Sequence, residues 1–137
     1  MKQAKVKYNE NMDAKVFSNL QDLDHFLDEI HSEFMNRDPI IVSIELNGNN
    51  ISLGLGSSLN FVQVINEDNQ PPYWVTRGDK NLEGEVVYLF QAKHHTEIPK
   101  SYLIPMEKAR VIIRDFFTTG LRSNIVNWVE VKQWVPC

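Results

Sequence analysis

The stretch Ile40-Ile41-Val42-Ser43-Ile44-Glu45-Leu46, Asn47-Gly48-Asn49-Asn50, Ile51-Ser52-Leu53-Gly54-Leu55 decides the fold. Apolar and polar side chains alternate on both sides of an Asn-Gly step, whose residues accept positive φ. That pattern predicts a β-hairpin with one face buried. Downstream, Phe61-Val62-Gln63-Val64-Ile65 predicts a third strand, with residues 66–72 as its exit loop. Tyr73-Trp74-Val75 is short and aromatic, and residues 77–85 form a loop rich in charge and glycine. Val86-Val87-Tyr88-Leu89-Phe90 is continuously apolar, which predicts a central strand covered on at least one face. Ile125-Val126-Asn127-Trp128-Val129-Glu130-Val131 alternates as a closing strand.

Two helices flank these strands. Leu20, Leu23, Phe26, Leu27, Ile30 and Phe34 recur at spacings of three and four, one apolar stripe on a helix over 19–35. Ser18 or Asn19 is the expected N-cap, with Asp22 and Asp24 in the first turn. Over 105–119, Pro105 is preorganised for a first turn. Met106, Ala109, Ile112, Ile113, Phe116 and Phe117 build the buried face there, while Lys108, Arg110 and Arg114 are expected to face water. Gly120 is the expected left-handed cap. The order predicts an α+β fold: a curled, mainly antiparallel sheet of about five to seven strands with two helices packed on one face. A chain of 137 residues without a repeat or linker is expected to form one domain over 1–137, with 1–12 a loose arm or an edge strand through Val6 and Tyr8.

Hydrophobic content of 42% and charged content of 23% exclude a disordered tail, a collagen-like chain and a disulfide scaffold. The lone Cys137 has no internal disulfide partner. Polar residues follow Met1-Lys2-Gln3-Ala4-Lys5, so no secretory signal is read. No apolar run suffices to cross a bilayer, and the reading is a cytoplasmic protein without membrane contact. Residues 22–97 hold 13 Asp/Glu against 4 Lys/Arg, within a net charge of −4. An acidic middle argues against direct nucleic-acid binding and suits a basic partner.

Catalytic constellations are missing. His94-His95-Thr96-Glu97 lacks the i, i+4 histidine pair of a helical zinc site and reads as a solvated loop. His25, Asp28, Glu29 and His31 read as the wet side of the first helix. Gly54-Leu55-Gly56-Ser57-Ser58 lacks the Lys-Ser/Thr of a phosphate loop and reads as a bulge or tight turn. No serine sits in a Gly-x-Ser-x-Gly elbow, and Cys137 is terminal. No catalytic, cofactor-binding or metal-binding residue is assigned, and no enzyme is expected.

Leu53-Gly54-Leu55-Gly56, Pro72-Tyr73-Trp74, Gly78 and Tyr88-Leu89-Phe90 form part of a recognisable order. It continues through Ile104-Pro105-Met106-Glu107-Lys108-Ala109-Arg110, Phe116, Thr119-Gly120 and Val126-Asn127-Trp128. Over about residues 38–130 the chain resembles the first-catalogued immunity family of bacterial polymorphic toxin systems. The resemblance implies a non-catalytic antitoxin that binds the C-terminal domain of a cognate toxin, often a nucleic-acid deaminase or nuclease with a basic cleft, and occludes its active site or substrate groove. Glu67, Asp68, Asp79, Glu83 and Glu85 are the expected toxin-binding acids, with Tyr73 and Trp74 beside them and Trp74 as the apolar anchor. Asp24, Asp28 and Glu29 on the first helix form a competing patch. The alternatives are a small enzyme or ligand-binding domain sited near His94, His95 and Glu97, and an accessory subunit whose acidic face docks a basic partner.

Overall fold

In the computed structural model, which describes residues 3–46, 48–65, 72–91 and 93–132, the two arms of the hairpin are β3 (Ile40–Leu46) and β4 (Asn49–Leu55). They pair antiparallel along their whole length, Ile40 opposite Leu55 and Leu46 opposite Asn49. Before them lie β1 (Ala4–Lys7), β2 (Lys15–Phe17) and α1 (Leu20–Phe34). After them come β5 (Leu59–Asn60), β6 (Val62–Ile65), β7 (Tyr73–Arg77), β8 (Glu85–Phe90) and β9 (His94–Pro99). A short 3-10 turn (Lys100–Tyr102), β10 (Ile104–Pro105), α2 (Met106–Thr119) and β11 (Asn127–Val131) complete the order.

Nine strands form one open, mostly antiparallel sheet in the order β11-β7-β6-β4-β3-β1-β2, with β8 and β9 branching from β3. The branch arises because two strands share one edge of β3. β8 runs parallel to it at Ile40 and Ile41, and β1 runs antiparallel to it from Ser43 to Leu46. β5 and β10 form a separate two-stranded ribbon. The sheet exceeds the expected five to seven strands because the N-terminal segment and the His94–Pro99 segment are strands. The first is an inner strand, with β1 between β3 and β2. The second pairs with β8 and carries His94, His95 and Glu97 outside any loop. β8 is less central than its apolar run suggests: it meets β3 at two residues, and only Tyr88 on it is buried.

Both helices lie on one face. Their stripes, Leu23, Phe26, Leu27, Ile30 and Phe34 on α1 and Ala109, Ile112, Ile113, Phe116 and Phe117 on α2, share a core with Val42, Ile44, Ile51, Leu53, Val62 and Val64. Full burial of each large side chain stabilises the fold by roughly 1.5–3 kcal/mol before entropy is counted. Asn19 caps α1, its side-chain oxygen accepting from Asp22 N–H at 2.8 Å. Gly120 ends α2 at φ 76°, donating its N–H to Phe116 O at 2.9 Å. One expectation on α2 is overturned: Arg110 is only 4% exposed and does not face water. It turns toward α1.

The opposite face is half covered. β8, β9 and the 3-10 turn fold over Ile41, Phe61 and Val75, making a second small core with Tyr88, Ile98 and Leu103. Phe61 and Tyr88 meet edge to face at 5.1 Å, and Tyr88 donates its hydroxyl to Leu59 O at 2.9 Å. Burial drives the Tyr88 pKa well above the ordinary tyrosine value. The cover presses so close that a Cβ at Gly78 would lie 1.8 Å from Leu103 O, and Gly78 N–H donates to Ser101 O at 2.7 Å. Gly54 has no room for a side chain beneath the Phe61 and Tyr88 rings.

Candidate functional site

The histidine cluster does not assemble. His94, His95 and Glu97 are exposed on β9, where His94 and His95, as strand neighbours, project to opposite faces. No group of three His, Cys, Asp or Glu able to hold a metal occurs among the described residues. On α1, His25 Nε2 lies 2.9 Å from Glu29 Oε1 as an exposed i, i+4 pair. His31 plays a structural part, its Nδ1 accepting from Gly56 N–H at 3.1 Å. Burial, then the nearby Arg110 charge, push its pKa below the usual histidine value, against an upward pull from Asp28.

The two acidic patches differ in what they touch. Asp24 receives Arg114 Nε on Oδ2 at 2.9 Å, and its main-chain oxygen accepts from Arg110 Nη2 at 2.6 Å. Asp28 Oδ1 lies 2.8 Å from Arg110 Nη1, an ion pair without hydrogen-bond alignment. The helix acids therefore tie α1 to α2. On the β7–β8 loop, Asp79 Oδ1 accepts from Asn81 N–H at 3.0 Å and Glu83 is exposed, as is Glu85 at the start of β8. None of these three forms an ion pair with a described residue. Glu67 and Asp68 lie outside the described residues.

Tyr73 and Trp74 part company because consecutive strand residues point to opposite faces. Tyr73 borders a groove of about 490 Å³ on the uncovered half of the outer sheet face, with Lys5, Lys7, Ser43, Asn50 and Phe90. Trp74 packs half-buried against the main core on the helix side. The Arg122 guanidinium sits 4.0 Å over its ring and 5.8 Å from that of Trp128. Partial burial there lowers the Arg122 pKa from the usual guanidinium value. Beyond Trp128, a crevice of about 450 Å³ runs between Asp79 and Leu82 on one side and Ile125 and Asn127 on the other.

Sequence reasoning gave no site role to Leu82, Leu121 or Arg122, and it placed Ile125 in the closing strand, which starts only at Asn127. Leu82, Leu121 and Ile125 are three of the six exposed large hydrophobics among the described residues. The signal was present as apolar residues inside two otherwise polar loops. The arrangement is an α+β scaffold with its titratable groups dispersed or paired among the described residues. No described helix is long and apolar enough to cross a membrane.

Comparison with known families gives that scaffold a place. The chain belongs to the family described as Immunity protein Imm1, whose model matches residues 13–130, from just before β2 to the penultimate residue of β11. It is thus an immunity protein, a class defined by protection against a toxin. A search of curated proteins gives no match to the chain.

Proposed function

We propose that this protein binds the toxin domain encoded beside it and neutralises it in the producing cell's cytoplasm, without catalysis, by occluding the active site or substrate groove. The proposed toxin is a nucleic-acid deaminase or nuclease, and the acids of the immunity protein meet the bases of its cleft. Membership of the immunity family carries the reading. The ion-pair pattern supports the choice of surface: Asp24 and Asp28 are engaged by Arg110 and Arg114, whereas Asp79, Glu83 and Glu85 have charge to offer a partner. Glu67 and Asp68 belong to the same proposal on sequence grounds. Tyr73 and Trp74 open to opposite faces, so a single docking face engages one of them at most; Trp74 lies on the same face as the Arg122 stack.

The test is a binding titration against the purified, catalytically inactivated toxin domain, with protection of toxin-expressing cells alongside. Reversing Asp79, Glu83 and Glu85 to lysine is expected to weaken binding at least about tenfold, with association slowed by added salt more than dissociation is hastened. Reversing Glu29 and Glu33, two exposed acids of α1 outside the proposed interface, is expected to leave affinity within about threefold. The opposite ranking would move the interface to the helix.

A further inference from the structure

The connection from α2 to β11 is short, irregular and held at both ends. Thr119 Oγ1 accepts from Leu121 N–H at 3.1 Å and donates to Asp115 O at 2.8 Å. Trp128 Nε1 donates to Ser123 O at 2.8 Å, and Ser123 itself is buried. Between these fastenings Leu121 is 69% exposed, the highest value of any large hydrophobic among the described residues. Its neighbour Arg122 lies over Trp74 and within reach of Trp128, yet makes no ion pair or hydrogen bond with a described residue. Arg110, Arg114 and Lys93 each have a carboxylate.

Such a segment has the properties of an interface anchor. Stacking fixes the plane of the guanidinium and leaves its N–H edge free, so little rotamer entropy remains to be lost on binding. Arginine is enriched among measured hot spots, and an exposed leucine beside it marks an apolar contact point for a partner. Ile125 and Leu82 continue the apolar track toward the acidic β7–β8 loop. The exposed surface here is therefore a cation with an apolar flank.

We propose that Leu121 and Arg122 form the anchor with which this protein grips a carboxylate-bearing patch of its toxin partner, Arg122 pairing with the carboxylate and Leu121 entering an apolar pocket beside it. The proposal rests on the immunity reading and deepens it by naming the partner's chemistry. A nucleic-acid deaminase supplies such a group even inside a basic cleft, since a glutamate carboxylate serves as its general acid and base. Arginine meets a carboxylate through two parallel hydrogen bonds, which lysine cannot reproduce. A nucleic-acid phosphate would be recognised by the same fork, but the chain's net charge of −4 opposes it.

The experiment measures affinity of the full chain for the inactivated toxin domain, with a labelled single-stranded oligonucleotide as the second probe. Arg122→Gln is expected to weaken toxin binding at least about 30-fold, the scale of a hot spot. Arg122→Lys is expected to recover only part of that loss. Leu121→Asp guards against a folding artefact, because so exposed a side chain can change without moving the thermal midpoint; it is expected to weaken binding at least about tenfold. Leu121→Asp binding within about threefold of wild type overturns the proposal. So does oligonucleotide binding by the wild type that Arg122→Gln abolishes. Failure of the wild-type chain to bind its toxin would remove the immunity reading itself, a result distinct from tight wild-type binding that both variants retain.

Discussion

Arg110→Ala tests whether the ties between the two helices stabilise the fold. Arg110 is 4% exposed and donates to Asp24 O at 2.6 Å, with Asp28 Oδ1 at 2.8 Å and Asp24 Oδ1 at 3.5 Å. Breaking a fully buried pair costs about 3–5 kcal/mol, because a charge is left stranded out of water. Here the side chains of Asp24 and Asp28 are 21% and 67% exposed, so water can take up what the guanidinium releases. What remains is one charge-assisted hydrogen bond and the packing of the arginine stem, together about 2–3 kcal/mol. With an unfolding entropy near 2.1 cal/mol/K per residue, that loss lowers the thermal midpoint by about 7–10 °C. Differential scanning calorimetry at neutral pH reads the shift directly. Arg110→Met, which keeps the apolar bulk, is expected to lose about half as much. A midpoint for Arg110→Ala within about 2 °C of wild type would refute the assignment of Arg110 as a structural tie.

Two further outcomes follow from the core and from α1. Phe116, 1% exposed in the core between α2 and the sheet, should cost about 3–5 kcal/mol as Phe116→Ala, seen as a lower urea midpoint; an unchanged midpoint would mean the buried face of α2 is misassigned. His31 has its pKa depressed in the fold, so the unfolded chain binds its proton first as acid is added. Its contribution to stability is full above about pH 6.5, falls as pH drops below that value, and levels off below the folded pKa. The wild-type midpoint should therefore fall between about pH 7.5 and 5.5 more steeply than that of His31→Gln, and parallel profiles would contradict the role given to the Gly56 N–H bond.

Legibility in the sequence followed the strength of local patterning. The β3–β4 hairpin, both helices, the Asn19 cap and the Gly120 cap were readable because period, capping oxygen and left-handed glycine are local properties. β1 was hard to read because four residues carry little periodicity, and its place between β2 and β3 depends on an edge that only the folded sheet presents. Arg110 was misread for a related reason. Helical spacing puts it beside the buried stripe, and whether such a residue is wet depends on the carboxylates that another helix brings, here Asp24 and Asp28. At the candidate surface, the sequence could count acids but not see which were already engaged. It also could not show that Trp74 turns inward beneath Arg122.

The forked edge of β3 has a consequence for handling the protein. The family match begins at residue 13, which makes the first dozen residues look dispensable. Yet β1 covers the β3 edge from Ser43 to Leu46, a run whose N–H and C=O groups would otherwise lie bare. A bare edge of regular strand is a template for another chain. An expression clone trimmed to the matched span would thus expose a docking strip in the middle of the sheet, and two such chains could zip together there. The short N-terminal strand keeps that stretch of β3 paired.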